Sequence, residues 1–251
     1  MLRVENLLQN YGGLTVLRDV SFNIEAGERV GLIGPNGAGK TTLFNILSGL
    51  LRHVSGRIYF LDQEVTRLPA HKRAFLGMAR SFQISALFPS LSLLDNVRLA
   101  IQGNRASRFQ MFRTINSYKS ILEQAETLLG SVHLWERRHD PIQTLPHGKQ
   151  RQLEILLALA SKPKLLLMDE PNAGLTRGET MDLSNAIRSL VGDTTVFFCA
   201  HDMNLVFSLA HRVIVLHIGQ IIAQGTPLEI RANPKVEEIY LGTGNEDTRT
   251  Y

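Results

Sequence analysis

The sequence predicts an α/β fold: a mainly parallel sheet flanked by helices, with a helical segment inserted in the middle of the chain. Three observations carry that reading. Strand-like and helix-like apolar patterns alternate near both ends of the chain. The stretch 84–160 is mostly helical in pattern, interrupted by Pro89, Gly103, Gly130 and Pro141. Two apolar strand candidates also end in chemistry-bearing residues, glycines and a lysine after one and two acids after the other.

In chain order, 16–24 and 29–33 read as strands joined by the turn Glu25-Ala26-Gly27-Glu28. After Gly34 the pattern turns helical, with Thr42, Leu43, Ile46 and Leu47 on one face and Ser48-Gly49 at the end. Residues 56–60 read as a strand and 76–82 as helical. The alternation resumes with a buried strand at 165–168, a helix at 177–191, a strand at 195–200 and a helix at 203–210. Residues 212–216 and 220–224 form a strand pair turned at Ile218-Gly219. Thr226, Pro227 and Glu229 make a helix start with a capping box, and Asn233-Pro234 ends that helix. The tail from Gly242 is polar.

Composition bounds the function. The chain has 251 residues, 44% hydrophobic and 20% charged, which excludes a disordered chain. The net charge of +4 permits an anionic ligand or a membrane surface and makes no case for nucleic acid. A single cysteine, Cys199, excludes an internal disulfide and fits a reducing compartment. No apolar run approaches the length of a membrane span, and Arg3 and Glu5 stand where a signal peptide needs its apolar core. A soluble, intracellular protein is expected. Between Asp95 and Glu123 there is no acid, yet Arg98, Arg105, Arg108, Arg113 and Lys119 occur there. This is either a solvated face or a surface for anionic lipid headgroups.

The strongest motif is Gly34-Pro35-Asn36-Gly37-Ala38-Gly39-Lys40-Thr41, which fits G-x-x-x-x-G-K-[ST] between a strand and a helix. Its glycines let backbone N–H groups turn in around phosphates, and the helix start adds partial positive charge. Lys40 reaches the β- and γ-phosphates, the Thr41 hydroxyl takes a magnesium position, and Thr42 extends the nucleotide set. A metal carboxylate is then needed. Asp169 ends the buried strand and suits that role; Glu170, one residue on, suits a general base for water.

Two further features narrow the class: Leu145-Pro146-His147-Gly148-Lys149-Gln150-Arg151 leading into a helix that buries Leu153, Leu156, Leu157 and Ala160, and His201 directly after a strand. With these, the chain from Tyr11 to Gly242 resembles the ATP-binding cassette of ABC transporters, a P-loop NTPase fold with a parallel core, an antiparallel β subdomain and an inserted helical subdomain. The resemblance implies a nucleotide-binding core over 1–83 and 161–225, a helical subdomain over 84–160, and C-terminal helices and tail over 226–251. By the same resemblance Tyr11 stacks on adenine and Gln83 touches magnesium and the attacking water. Asp169 holds the magnesium, Glu170 is catalytic, His201 meets the γ-phosphate, and residues 172–176 form a dimer-contacting loop. The 145–149 segment, His147 and Gly148 included, meets ATP bound to a second cassette facing it head to tail. Taken alone, Tyr11 is more often a packing tyrosine and His201 a core histidine, and Gln83 by itself says nothing; the joint order and spacing overturn these readings.

The departures are Pro146, where the usual signature Leu-Ser-Gly-Gly-Gln has its serine, and Thr176, where many cassettes carry aspartate. The insertion at 98–125 and the ending Gly225-Thr226-Pro227, Asn233-Pro234 and Tyr240-Leu241-Gly242 resemble the ATPases of branched-chain amino acid, urea and short-amide importers. That implies ATP and Mg2+, transmembrane permease subunits, a second cassette, a solute-binding protein acting indirectly, no nucleic acid, and a peripheral place on the cytoplasmic face of the membrane. The alternatives are an export cassette, such as those of lipopolysaccharide export, a soluble non-transport cassette, and a small-molecule P-loop kinase.

Overall fold

A computed structural model describes residues 1–81, 87–103 and 115–242. In chain order the elements are β1 (Leu2–Tyr11), β2 (Leu14–Ile24), β3 (Arg29–Ile33), α1 (Lys40–Leu47), β4 (Ser55–Phe60), β5 (Gln63–Glu64), α2 (Ala70–Phe75), β6 (Met78–Ser81), α3 (Leu93–Gly103), α4 (Ile115–Ser131) and α5 (His147–Ala160). The chain continues through β7 (Leu165–Asp169), α6 (Arg177–Val191), β8 (Thr195–Cys199), α7 (Met203–Leu209), β9 (Arg212–His217), β10 (Gln220–Gly225), α8 (Pro227–Arg231) and α9 (Pro234–Gly242).

The strands form an antiparallel sheet, ordered β2-β1-β4-β5, and a larger sheet, ordered β10-β9-β3-β8-β7-β6. In the larger sheet β9, β3, β8, β7 and β6 run parallel, while β10 returns antiparallel to β9. Strands β7 and β8 are buried at every position, as expected of strands covered on both faces.

Among the elements that differ from the sequence reading are β1 and β6. Strand β1 escapes it because Asn6 adopts φ 48 and breaks the alternation of Leu2, Val4 and Leu7. Its amide donates to Asp19 Oδ1 at 2.6 Å, and Asp19 has φ 53, so the irregularity is paired across the two strands. The stretch 76–82, read as helical, holds β6 instead; Phe82 lies outside the described residues. Gly77, at φ 105, turns the chain after α2, and the open edge of β7 recruits Met78–Ser81 in parallel register with Leu165–Met168. Local pattern yields there to the need of a buried strand for a partner on each edge.

One apolar cluster fills the space between the two sheets and α1, with Phe44 stacked on Phe197 at 4.9 Å between ring centroids. A second lies on the opposite face under α6 and α7. A third joins α3, α4 and α5. Leu153 and Leu156 of α5 are fully buried in it, whereas Leu157 and Ala160 are only partly covered at its border. Arg73 ties α2 to α1: its guanidinium donates to Ile46 O and Leu47 O, the last carbonyls of α1, and to Leu68 O and Thr66 O. In the basic stretch, Arg98 pairs with Asp95 at 3.5 Å, and Arg105, Arg108 and Arg113 lie outside the described residues. The capping box at Thr226 forms, with Glu229 N–H on the Thr226 hydroxyl and Pro227 opening α8.

Candidate functional site

Because β3, β8 and β7 are parallel neighbours, their carboxyl ends open on one edge of the sheet, where α/β folds of this type bind ligands. The 34–41 loop leaves β3, Asp169 and Glu170 end β7, and His201 follows β8. Strand β6 ends on the same edge and leads into 82–86, so Gln83 lies outside the described residues.

The loop holds its shape through glycine. A Cβ on Gly34 would lie 2.1 Å from Leu216 O. Gly39 takes φ 104 as the residue before α1, a conformation open to glycine at little cost. Gly219, at the tip of the β9–β10 hairpin, donates its N–H to Ala38 O at 3.1 Å and accepts from Arg18 N–H at 2.8 Å. A Cβ on Gly219 would lie 2.3 Å from Val16 O, so the hairpin, the loop and β2 meet there backbone to backbone. Asn36 and Gly37 are exposed, as is Thr41; Pro35 and Thr42 are half-buried, and Ala38 is buried. No side chain caps α1 and no acid lies in its first turn, which leaves its N–H groups directed at the loop's concave side.

Lys40 is only 6% exposed and donates to Gly34 O at 2.7 Å and Pro35 O at 3.0 Å. Burial pulls its ammonium below the usual lysine range, against the opposing pull of the Glu170 and Asp169 carboxylates nearby. Lysine, loop and acids are thus one electrostatic unit.

Asp169 is fully buried and held at both oxygens. Arg80 Nη2 donates to Oδ2 at 3.1 Å, and the Cys199 thiol donates to Oδ1 at 2.8 Å. Burial pushes the Cys199 thiol up, which keeps it a protonated donor. Glu170 sits at φ 49 and accepts on Oε1 from His201 Nε2 at 2.8 Å, so the imidazole carries its proton on Nε2 in this contact. Glu170 and His201 are both open to solvent, at 28% and 47% side-chain exposure, so a water has access to them.

Sequence reasoning missed Arg80, the thiol of Cys199 as a donor, and Arg151, whose guanidinium reaches the backbone beyond Asp169. The signal for the first was a charged residue in a strand whose register partners, Leu165–Met168, are apolar; for the second, a polarizable donor at the end of a buried strand.

Tyr11 ends β1, 49% exposed, opposite Leu14. Two residues beyond Leu14, the Val16 carbonyl oxygen would lie 3.0 Å from a Cβ on Gly39, so this hairpin end borders the loop. His147 and Gly148 start α5 and neighbour the 172–179 stretch of the same chain. The His147 ring comes within 3.5 Å of where a Gly174 Cβ would stand, and the Glu179 carboxylate within 2.8 Å of a Cβ on Gly148. Thr176 caps α6, with its hydroxyl accepting from Glu179 N–H and its own N–H donating to Glu179 Oε2 at 2.9 Å. The Thr176 backbone, its hydroxyl and the Gly148 N–H together hold the Glu179 carboxyl below its usual range.

The arrangement suits phosphate binding with an in-line water: a glycine cradle, a buried cation, and a carboxylate–imidazole pair beside them. The Thr41 hydroxyl and Asp169 are hard oxygen donors, the set that Mg2+ takes alongside phosphate oxygens, and Asp169 keeps lone pairs beyond those its two donors use. Among the described residues no group of three or more His, Cys, Asp or Glu could hold a metal ion.

The family described as ABC transporter matches residues 17–173, and the family described as branched-chain amino acid ATP-binding cassette transporter matches 220–245. The high-affinity branched-chain amino acid transport ATP-binding protein BraF of Pseudomonas aeruginosa is 37% identical, over 96% of this chain and 98% of its own length. The lipopolysaccharide export system ATP-binding protein LptB of Acidithiobacillus ferridurans is 34% identical, over 96% of this chain and 97% of its own. The crystal structure of an ATP-binding cassette of an ABC transporter in its ADP conformation superposes with a TM-score of 0.81 at 28% identity, covering 96% of this chain and 98% of that one. Among the described residues no helix is long and apolar enough to cross a membrane.

Proposed function

The chain belongs to the ATP-binding cassettes of the ABC transporter family, which bind nucleotide and act as ATPases, and from that premise we propose that it drives the uptake of branched-chain amino acids. The observation that carries the hydrolytic part is the Glu170–His201 contact at 2.8 Å on the edge that holds Lys40 and its loop. The match of 220–245 to the branched-chain amino acid family favours the solute.

In this reading the 34–41 loop and Thr42 wrap the phosphates, Lys40 neutralises the β- and γ-oxygens, and Tyr11 stacks on the base. Glu170 orients a water and accepts its proton. His201 holds the Glu170 carboxylate in place and reaches the γ-phosphate. Thr41, Asp169 and Gln83 would hold Mg2+, which when bound screens charge on the β- and γ-phosphates. His147 and Gly148 face the nucleotide of a second cassette paired head to tail, where the start of α5 offers N–H groups to a γ-phosphate. The units are 1–83 with 161–225 as core, 84–160 as helical insert, and 226–251 as C-terminal helices and tail. Permease subunits sit above the pair on the cytoplasmic face of the membrane, and a solute-binding protein delivers cargo.

The test is transport by the chain assembled with its membrane subunits in vesicles. ATP-driven entry of leucine, isoleucine or valine, lost with Glu170→Gln, is expected. Entry of urea or a short amide instead would move the solute. The 34% identity to an export-system protein supports a second reading, and hydrolysis stimulated by lipopolysaccharide but not by leucine would favour it.

A further inference from the structure

We propose that Arg151 is the positioning residue for Glu170, fixing from helix α5 of the same chain the backbone that carries the carboxylate; the proposal rests on the hydrolytic reading above. Arg151 is 9% exposed, and its planar fork reaches into the chain just past β7. Nε donates to Pro171 O at 2.9 Å, and Nη2 donates to Glu170 O at 3.0 Å and lies 3.5 Å from Asp169 O. Nη1 pairs with Glu154 Oε2 at 2.5 Å on the same helix face, with both side chains almost wholly buried. The guanidinium is thus held at one end by α5 and grips consecutive carbonyls with the other.

What it grips is an unusual piece of backbone. Glu170 has φ 49, a left-handed conformation that side-chain-bearing residues rarely adopt and that persists where the surroundings over-determine it. Its N–H is pinned to Cys199 O of β8 at 2.9 Å. Its carbonyl is pinned by Arg151 of α5 and by Ala173 N–H at 3.1 Å. With amide and carbonyl fixed on either side of that φ, the side chain projects to His201 Nε2 at 2.8 Å. Lysine offers a compact point charge on a flexible stem and does not span these carbonyls as a planar fork does. The grip also comes from the helix that Pro146, His147 and Gly148 begin, so a displacement of α5 carries the guanidinium, and Glu170 with it.

The experiment compares Arg151→Lys and the double variant Arg151→Met with Glu154→Met, each alone and with Glu170→Gln. Removing the buried pair together avoids stranding the Glu154 charge. Nucleotide affinity, kcat, KM and Tm are measured on the full chain. Both variants should fold and bind ATP within about threefold of wild type, while kcat falls by about 30-fold or more, within the range a general base contributes. Adding Glu170→Gln should then cost little further, since the two changes disable one group. A kcat within about threefold of wild type in the folded Lys variant, on that same scale, overturns the proposal. So do losses that multiply with Glu170→Gln, the mark of a merely structural residue. If Glu170→Gln alone leaves turnover intact, the hydrolytic reading fails and takes the proposal with it; a silent Arg151 variant beside an inactive Glu170→Gln removes only the proposal.

Discussion

Arg80 Nη2 meets Asp169 Oδ2 at 3.1 Å while its Nη1 holds Asn45 Oδ1 at 2.7 Å and Ser48 Oγ at 3.0 Å, so one guanidinium joins the acid at the end of β7 to the helix that follows the phosphate loop. Removing it leaves a fully buried carboxylate without its ion pair, held only by the neutral Cys199 thiol among the partners described. Arg80→Met should cost about 3–5 kcal/mol of stability, the usual loss when one partner of a buried pair is deleted. Urea unfolding checks this, and a loss under about 1 kcal/mol, the range of an exposed pair, contradicts it.

Lys40→Ala should weaken ATP binding by about 10- to 100-fold, the worth of a hydrogen bond to a charged group. Equilibrium titration with a fluorescent ATP analogue is the measurement. Affinity within about twofold of wild type would remove Lys40 from the phosphate site, being a small fraction of that energy.

Glu170→Gln should leave ATP binding intact and lower turnover by about 100-fold or more, since the amide accepts no proton from water. An ATP-bound pair of cassettes should then persist long enough to be seen by size-exclusion chromatography. Turnover above about a tenth of wild type assigns the proton to another group.

Tyr11→Ala should cost about 1–3 kcal/mol of nucleotide affinity, as loss of a base–aromatic stack does, while Tyr11→Phe and Tyr11→Trp stay near wild type. Calorimetric titration separates the cases. A Phe variant as weak as the Ala variant means the hydroxyl matters and the ring does not stack.

Pro146 precedes α5 with no side-chain cap, and proline brings neither a hydroxyl nor an N–H to that helix start. Pro146→Ser should therefore speed ATP turnover in the assembled complex and leave the affinity of the isolated chain unchanged. The gain should vanish when the second cassette cannot bind ATP. A gain that survives this control means the segment serves its own chain's nucleotide and the head-to-tail arrangement is wrong.

Much of the fold is legible from local patterns that tertiary structure happens to respect. The helix at Arg177–Val191 and the β9–β10 pair turned at Ile218-Gly219, both at positive φ, stand where their local patterns put them. The loop at 34–41 and the acids at 169–170 are readable because glycine spacing and a strand-ending acid pair are contiguous in sequence. Strand β6 is not, because its partner β7 lies far down the chain. Arg80 goes unremarked in the sequence and Arg151 reads only as the end of the 145–151 segment, since the carboxylate that takes the one and the backbone carbonyls that take the other lie elsewhere in the chain. Thr176 reads as a change in a dimer loop, yet its hydroxyl and N–H serve the start of α6.

The bond from Gly219 N–H to Ala38 O bears on how the chain comes into being. The glycine-rich motif is complete in the first sixth of the sequence, but one wall of its loop is supplied by a hairpin turn near the other end. A chain emerging from the ribosome therefore displays the whole motif long before it owns a nucleotide site. Long-range closures of this kind come late in folding, because the loop entropy must be met before the contact forms. ATP binding should thus report completion of the core, and a nascent chain stalled before the hairpin should not compete for nucleotide.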